Sequence, residues 1–397
     1  MHEEENAQAA GPRRLAVEFT GSGSEYFRIW LVNLLLTLVT LSLYQPFAKA
    51  RKLAYFHGNT LIGGRPLGFH GNPWKMLRGY LLMLLFGVAY GVSSRFSPVA
   101  ALVAVGSFVL LWPALWRASL QFRLGNTSWC GMRFGFDGSL GGAYRCMLPG
   151  LLTWAGFVAV AVLAPKPAAG PAPAEADAFA PLSPAAFGVL MGLTTLAMLL
   201  AMPLALAWVK RYQHGHYVYA GQRSRLEAGT GEFYLYALKV FGVTLLVGVV
   251  GAATVGGLAA LGFAGAAAGA GRHFATGLLV IGMLAFYAGY FVIVLPYGQS
   301  RLQNLVWGRT RSQALQCRSG LRLWPLGRLT LKNLVLTILT LGLYWPFAAV
   351  ATARMRLQAL EVEVDGDVAQ WQAGAQAGTQ DATGDAAGDF FGIDLGL

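Results

Sequence analysis

The feature that most constrains the fold is a series of apolar stretches, each close to or above about 20 residues in length. A helix of that length crosses the hydrocarbon core of a bilayer, which is about 30 Å thick. Eight stretches are predicted to form membrane-spanning helices: 26–48, 76–94, 97–116, 146–164, 185–209, 234–262, 274–297 and 329–352. We therefore predict an all-α polytopic membrane protein with about eight transmembrane helices.

Composition agrees with a lipid environment. Charged residues make up 12% of the chain and hydrophobic residues 55%, whereas soluble domains contain about 25% charged residues. The lead before the first apolar stretch, 1–25, is not followed by a small-residue cleavage site, so we expect the stretch to remain in the protein. Cys130, Cys146 and Cys317 include no C-x-x-C pair and predict neither a disulfide framework nor a thiolate metal site.

The net charge of +12 is concentrated in alternate loops. The four basic loops contain Lys49, Arg51, Lys52, Arg65 and Lys75; Arg117, Arg123, Arg133 and Arg145; Lys210, Arg211, Arg223 and Arg225; and Arg301, Arg309, Arg311, Arg318, Arg322 and Arg328. The positive-inside rule places these loops in the cytoplasm and predicts three transmembrane hairpins between them. The charge is therefore explained by topology, and nucleic acid is not an expected partner.

The basic loops are also rich in aromatic residues and glycine, which is typical of segments at the membrane surface. We expect them to contact the lipid bilayer and anionic phospholipid headgroups, which attract basic side chains. The candidate contacts, one from each basic loop, are Arg51, Arg117, Arg211 and Arg301.

One stretch occurs twice. "NLLLTLVTLSLYQPFA" (33–48) and "NLVLTILTLGLYWPFA" (333–348) agree at 11 of 16 positions. The polar positions shared by the copies, and candidates for a functional or structural role, are Asn33, Thr37, Thr40 and Tyr44 with Asn333, Thr337, Thr340 and Tyr344. If both copies cross the membrane, eight spans place both termini outside; this is the favoured topology. In the alternative, each copy enters the membrane and returns, which leaves six spans and both termini in the cytoplasm.

A second repeat lies in the basic loops. The two segments are "FHGNTLIGGRPLGFHG" (56–71) and "FRLGNTSWCGMRFGFDG" (122–138). They share a G-N-T triplet and have later glycines at the same distances from it, which indicates a repeated unit. Asn59, Thr60, Asn126 and Thr127 are therefore candidate polar positions. Two interpretations remain open: ordinary interfacial loops, or a site for an anionic ligand or lipid headgroup.

No predicted span contains Asp or Glu in its interior. Proton-coupled carriers usually place ionisable groups there, so a carrier of that design is disfavoured. The chain contains no G-x-S-x-G elbow or P-loop, and we expect neither an enzyme nor a cofactor or metal site. His214 and His216 are two residues apart, which favours an interfacial pair over a metal site.

Small residues four apart mark one predicted span. Gly248 and Ala252, Ala252 and Gly256, and Ala253 and Gly257 follow this spacing, which allows close helix packing. The membrane region is predicted over 26–366, followed by a disordered acidic tail, 367–397, rich in Gly and Ala. The apolar end of that tail is a candidate docking segment for a protein partner. The sequence does not indicate an oligomeric state.

Together, "NLLLTLVTLSLYQPFAKAR", the two G-N-T loops and the end "GDFFGIDLGL" resemble the YjgN-like family of bacterial inner-membrane proteins over essentially the whole chain. The resemblance implies a multi-pass protein of the bacterial inner membrane. It supplies no substrate, reaction or catalytic residue. This chain departs from the family pattern at Gln45 and at Ser42, where the second copy has Gly342.

Two functions fit these patterns. The first is a transporter or channel-like permease for an anionic or amphipathic small molecule, since internal repeats are common in transporters. The second is a membrane scaffold, or an envelope protein that interacts with anionic lipid, which the absence of carboxylates from the spans favours.

Overall fold

The computed structural model describes residues 13–165, 182–265, 267, 269, 271–313 and 315–365. The predicted acidic tail, 367–397, and residues 1–12 of the predicted lead lie outside this part of the chain. The helices are α1 (Gly23–Val39), α2 (Gln45–Gly58), α3 (Pro73–Phe96), α4 (Pro98–Gly125), α5 (Leu140–Val162), α6 (Pro184–His214), α7 (Thr230–Gly265), α8 (Gly271–Gly289), α9 (Leu295–Trp307), α10 (Leu323–Leu339) and α11 (Trp345–Gln358). A π-helical turn, Tyr290–Val294, joins α8 to α9.

Twelve short strands connect the helices in the described residues. They are β1 (Arg13–Phe19), β2 (Thr60–Ile62), β3 (Arg65–Phe69), β4 (Thr127–Trp129), β5 (Met132–Arg133), β6 (Gly135–Phe136), β7 (Tyr217–Tyr219), β8 (Gln222–Arg223), β9 (Arg225–Leu226), β10 (Thr310–Arg311), β11 (Leu315–Ser319) and β12 (Leu360–Val364). The prediction of an all-α fold is therefore wrong for the basic loops, which form strands. The fold is otherwise mostly helical, as predicted.

The strands form a ring. Nine of them form one antiparallel sheet in the order β5-β4-β3-β2-β1-β12-β11-β10-β9, in which the pairing of β1 with β12 connects the two ends of the described chain. The other three form a second sheet in the order β6-β7-β8. The strand that contains β5 and β6 is interrupted at Phe134; it pairs with β4 before the break and with β7 after it. The strand that contains β8 and β9 is interrupted at Ser224 and pairs in the same way with β7 and β10. Because β5 continues into β6 and β8 continues into β9, the two sheets together close into a small antiparallel barrel.

Five helical hairpins extend from the barrel. They are formed by α1 with α2, α3 with α4, α5 with α6, α7 with α8 and α9, and α10 with α11. Adjacent hairpins touch through α2 and α3, α4 and α5, α6 and α7, and α9 and α10, and α11 contacts α1. The helices thus form a ring that continues the ring of strands.

Polar caps define where a helix follows a strand. The Ser22 hydroxyl accepts the backbone N–H of Glu25 at 3.2 Å, and the Ser139 hydroxyl accepts that of Gly142 at 3.1 Å. Asn72 Oδ1 accepts the N–H of Trp74 at 2.9 Å. Such caps stabilise a helix by about 1 kcal/mol. They allow α1, α3 and α5 to begin directly after a barrel strand.

Six helical segments of the described chain are long and apolar enough to cross a membrane. They are α3, α4 from Val99, α5, α6, α7 and the continuous segment His273–Trp307. The prediction of about eight spans is not confirmed, because the first and last predicted spans are each divided between two short helices.

The division lies at the same place in both copies of the repeated stretch. Leu41 and Ser42 have φ angles of 48° and 74°, and Leu341 and Gly342 have φ angles of 50° and 93°. A helix cannot continue through consecutive left-handed residues. The Ser42 N–H instead bonds the Thr37 carbonyl at 2.7 Å, which reverses the chain. Each copy is therefore a helix-turn-helix.

The two ends of the described chain lie together. In the pairing of β1 with β12, Arg14 is opposite Glu363 and Leu15 is opposite Val362. Both ends therefore lie at the barrel, on the side where the basic loops lie. This placement of both ends agrees with the six-span alternative. The eight-span topology that the sequence favours would instead place the termini on the side of the membrane opposite to the basic loops.

Buried side chains concentrate where helices meet the barrel. One cluster packs Trp116 and Leu120 of α4 against Phe136 of β6 and Tyr212 of α6. A second packs Phe19 of β1 with residues of α1 and α11. The membrane helices contribute little to this core, since between 6% and 17% of each apolar window is buried. Their remaining surface is available to lipid.

Candidate functional site

The barrel encloses a cavity of about 540 Å³. This volume lies in the range of about 300–1,000 Å³ that is typical of small-molecule sites. The wall comes from seven of the strands, β1 to β4, β7, β11 and β12, and from the last turns of α2, α4, α6, α9 and α11. The cavity therefore lies where the helical ring meets the barrel, on the side of the basic loops.

Most of the wall is apolar. The aliphatic and aromatic residues that line it are Val17, Leu53, Ile62, Leu67, Phe69, Leu120, Leu124, Trp129, Phe134, Tyr219, Trp307, Leu315, Leu357, Leu360 and Val362. Along β12, the half-buried residues Leu360 and Val362 line the cavity two positions apart. This is the period of two by which successive side chains of a strand point to opposite faces.

The polar residues that line the cavity near the helix ends include the following five: His57, Arg123, Thr127, Gln213 and Tyr217. We refer to them as the polar cluster. They come from the ends of three helices, α2, α4 and α6, and from the strands β4 and β7 that follow two of these helices. The ring brings them together, although they are up to 160 positions apart in the chain.

His57 is held in one tautomer. Its Nδ1 lies 2.8 Å from the Leu53 carbonyl oxygen, which can only accept, so Nδ1 carries a proton. Its Nε2 lies 3.4 Å from Thr127 Oγ1. Burial lowers the pKa of His57, and the charge of Arg123 adds to this effect. We therefore expect a neutral ring at pH 7 whose Nε2 is a hydrogen-bond acceptor.

Gln213, Tyr217 and Arg123 of the polar cluster interact through hydrogen bonds and electrostatics. The amine of Lys210 donates to Gln213 Oε1 at 3.1 Å, and Gln213 is 8% exposed. Burial raises the pKa of Tyr217 well above its ordinary value, so the phenol stays neutral and can donate. Gln213 and Arg123 both interact with this phenol.

Lys49, on α2, adds to the positive charge near Arg123. Burial lowers the pKa of Lys49 to about 8, and the charges of Arg123 and Lys52 contribute to the lowering. At pH 7 the amine is still protonated. Arg123 of the polar cluster and its neighbours Lys49 and Lys210 therefore bring together three cations from three helices.

Of the Asn and Thr positions predicted from the second repeat, only the threonines line the cavity. The amides of Asn59 and Asn126 donate to carbonyls one turn back, at 2.9 and 2.8 Å, and complete the ends of α2 and α4. The hydroxyls of Thr60 and Thr127 also bond back to α2 and α4, at 2.7 and 2.8 Å, while both residues line the cavity. Thr310, not predicted, makes the same bond after α9 at 2.7 Å.

The polar positions of the repeated stretch stabilise its turn. Thr40 Oγ1 donates to the Leu36 carbonyl at 2.7 Å and accepts the Tyr44 N–H at 3.0 Å. Thr340 makes the equivalent bonds to Leu336 and Tyr344. The carbonyls of Thr37 and Thr337 accept hydrogen bonds from the backbone N–H groups of Ser42 and Gly342.

The asparagines Asn33 and Asn333 lie deeper between the two helices of each copy. Their amides each donate to a carbonyl on the second helix, of Ala48 and Ala348, at 3.4 Å. None of the eight shared polar positions is part of the cavity wall.

The four predicted lipid-contact arginines differ in their partners. The guanidinium of Arg117 donates to the Gly138 carbonyl at 2.6 Å, and that of Arg211 donates to Ala228 at 3.1 and 3.0 Å. These bonds join a hairpin to the loop before the next. Arg51 and Arg301 lie over the rings of Tyr44 and Tyr297, at 5.6 and 5.4 Å. Contact of these four residues with lipid headgroups remains a prediction.

Arg354 has a role that sequence reasoning missed. Its guanidinium donates to the Gly21 carbonyl at 2.8 Å, 333 positions away, and joins the last hairpin to the first. Sequence reasoning also missed Arg123, Gln213 and Tyr217 as site residues. Their convergence depends on closure of the ring, which no local pattern reports.

The predicted histidine pair does not act together. The His214 ring is buried and its Nδ1 lies 3.2 Å from Thr310 Oγ1, whereas His216 Nδ1 lies 2.8 Å from the Tyr212 carbonyl. No group of three metal-ligating side chains occurs in the part of the chain that the structure describes. The absence of enzyme activity remains a prediction.

The fold and its apolar helices define a multi-pass membrane protein with a barrel at one end. Residues 14–390 match the family model described as "Bacterial protein of unknown function (DUF898)". Because this match covers most of the sequence, the chain belongs to the DUF898 family.

Curated relatives carry the name "Inner membrane protein YjgN". The protein from Salmonella typhimurium is 29% identical over 148 residues, which cover 36% of this chain and 38% of the relative. The protein from Escherichia coli K12 is 30% identical over 128 residues, or 31% of each chain. The match thus spans about a third of these relatives' length. No solved structure matches the chain.

These findings confirm the resemblance to the YjgN-like family and the predicted location. The protein is an integral inner-membrane protein that contacts the lipid bilayer.

Proposed function

We propose that the protein is a transporter or channel-like permease for an anionic or amphipathic small molecule, with the barrel at its cytoplasmic mouth. One observation supports this function above others: a cavity of about 540 Å³ is lined by residues of five helices and seven strands of the ring. A closed barrel with an internal cavity is suited to hold one small ligand. The cations beside the polar cluster favour a ligand with negative charge.

The orientation follows from the basic residues of the barrel. By the positive-inside rule, the exposed arginines at its strands and turns, which include Arg65, Arg133 and Arg223, face the cytoplasm. We infer six membrane spans, with α1–α2 and α10–α11 as helix-turn-helix elements that enter from the cytoplasmic side. At about 1.5 Å per residue, the 17 residues of α1 reach about 25 Å, less than a full crossing.

Cysteine labelling tests this topology. Glu18 on β1 and Arg65 on β3 are both exposed at the barrel. We expect Glu18→Cys and Arg65→Cys to react with a charged, membrane-impermeant maleimide only after spheroplasts are permeabilised. The wild-type protein, with its three native cysteines, provides the background. If intact spheroplasts label Glu18→Cys but not Arg65→Cys, the eight-span topology with external termini is correct.

Flux through the purified protein tests the function. Proteoliposomes loaded with dodecyl phosphate, an anionic amphiphile, should release it at least about tenfold faster than protein-free liposomes. Val362→Phe, which fills part of the cavity, should return the rate to near background. Release at the background rate by the wild-type protein would contradict transport of this class of substrate.

A second function is favoured by the surface of the helices. Leu41 and Leu341 at the two helix-turn-helix tips are 88% and 95% exposed, and most of each span faces outward. These surfaces fit a membrane scaffold or lipid-interacting envelope protein. Anionic phospholipid that survives purification, together with no flux, would support this function over transport.

A further inference from the structure

We propose that the barrel cavity binds a single-chain anionic amphiphile, with its headgroup at Arg123 and its hydrocarbon chain against the apolar wall. This inference rests on the proposed function for its biological meaning, because it names the substrate class of the same cavity. The binding itself can be true or false whether or not the ligand is carried across the membrane.

The position of the polar cluster specifies where a headgroup would lie. Arg123, His57 and Gln213 line the cavity from the ends of three different helices. The Tyr217 phenol interacts with both Arg123 and Gln213, and the charge of Arg123 also acts on His57. A guanidinium, an amide and a phenol provide several N–H and O–H donors for one group of oxygens. This set is suited to a phosphate, sulfate or carboxylate.

The distribution of charge gives this point a positive sign. The helices that carry Lys49, Arg123 and Lys210 contain no Asp or Glu. Carboxylates of the barrel pair elsewhere: Asp137 with Arg223 at 3.3 Å, and Glu227 with Arg311 at 3.3 Å. Glu361 also borders the cavity but is exposed. Because the surrounding wall is apolar, this charge is screened less than it would be in water.

The wall specifies the rest of the ligand. Trp129, Leu315 and Val362 face the cavity from three strands, and Tyr219 packs against Trp129 with ring centroids 5.6 Å apart. A hydrocarbon chain in this space would be removed from water, which is favourable in proportion to its apolar area. A small hydrated anion would leave the apolar wall exposed to water, and a neutral chain would not compensate the positive charge of Lys49, Arg123 and Lys210.

Equilibrium binding to the full-length protein in zwitterionic lipid nanodiscs tests this site. Radiolabelled dodecyl phosphate should bind saturably with one site per chain after subtraction of empty nanodiscs. Arg123→Gln should weaken binding at least about tenfold. The matched control is Arg133→Gln, which removes an exposed arginine of β5 outside the cavity wall and should change binding less than about twofold.

A second variant guards against loss of folding in Arg123→Gln. Val362→Phe adds volume inside an existing cavity, so the thermal unfolding temperature should stay within a few degrees of wild type while binding falls at least about tenfold. Two further ligands separate headgroup from chain. Dodecanol and inorganic phosphate should each bind at least about tenfold more weakly than dodecyl phosphate.

Several results would overturn the proposal. Unsaturable binding, equal binding to Arg123→Gln and wild type, or binding of dodecanol as tight as that of dodecyl phosphate each contradict an anionic headgroup at Arg123. Tight binding of inorganic phosphate alone contradicts the role of the wall. Saturable binding that depends on Arg123 without flux in proteoliposomes would uphold this site and refute transport.

Discussion

The double variant Ala16→Cys, Glu361→Cys is expected to form an intramolecular disulfide nearly quantitatively under mild oxidation. Ala16 on β1 and Glu361 on β12 are directly opposite in the antiparallel register, and both are exposed. Opposite residues of such a pair have Cα atoms about 4.5–5.5 Å apart. This separation lies in the range that disulfides require.

The disulfide should also raise stability strongly. It closes a loop of more than 300 residues, for which the chain-entropy model gives an upper estimate of about 6 kcal/mol. Mass spectrometry of the linked peptides identifies the bond, and the unfolding temperature with and without reductant measures its effect. The native cysteines can remain, because the linked peptides have distinct masses.

The matched control for this disulfide is Glu18→Cys with Glu361→Cys. Glu18 lies two positions along β1 from Ala16 and pairs with Leu61 of β2 instead. Its distance to Glu361 is that of a diagonal pair, about 7–8 Å, beyond normal disulfide reach. Equal cross-linking of both pairs, or of neither, would show that β1 and β12 do not close the barrel in this register.

Gly251→Leu is expected to abolish the correct packing of α7 against α8. A Cβ atom at Gly251 would overlap the Phe286 ring of α8, and one at Gly262 would lie 2.8 Å from the Ala275 Cα. Overpacking of a close contact costs about 1–3 kcal/mol or more. We expect loss of monodisperse protein in size-exclusion chromatography and a large fall in the unfolding temperature.

Gly248→Leu provides the control on the same helix. No atom outside its own helix lies within 4 Å of a Cβ placed at Gly248, Gly256 or Gly257. We therefore expect Gly248→Leu to behave as the wild-type protein. If Gly248→Leu is as damaging as Gly251→Leu, α7 packs through the small-residue positions predicted from spacing and not through the face described above.

This comparison shows what sequence spacing could predict. The small residues of the predicted span correctly indicated that α7 is in close contact with another helix. The spacing of four selected Gly248, Ala252 and Gly256, whereas the contact uses Gly251 and Gly262. In a helix where most residues on every face are small or apolar, composition does not distinguish the face that meets protein from the face that meets lipid.

The long apolar helices were predictable because hydropathy alone identifies them. The strands were not predicted, because most contain only two to five residues and depend on partners far away in the chain. Their glycine turns were visible in the second repeat, which includes the positive-φ residues Gly64 and Gly131. The pairing between β1 and β12 could not be predicted, because it is a non-local contact that no local sequence pattern indicates.

The polar cluster shows the same limit for the site. The G-N-T triplets drew attention to the ends of α2 and α4, and Thr60 and Thr127 do reach the cavity. Arg123 precedes its triplet by only two positions. It was grouped with the surface arginines because nothing in its neighbours distinguishes a residue that faces the axis from one that faces outward.

The pairing of β1 with β12 has a consequence for the order of the chain itself. Since the first and last strands are neighbours, joining them with a short peptide would make the backbone cyclic in connectivity as well as in shape. Any of the β-hairpin turns, such as the one at Gly63 and Gly64, would then be an equivalent place to open it. Circularly permuted forms should therefore retain the same three-dimensional arrangement with new terminal residues.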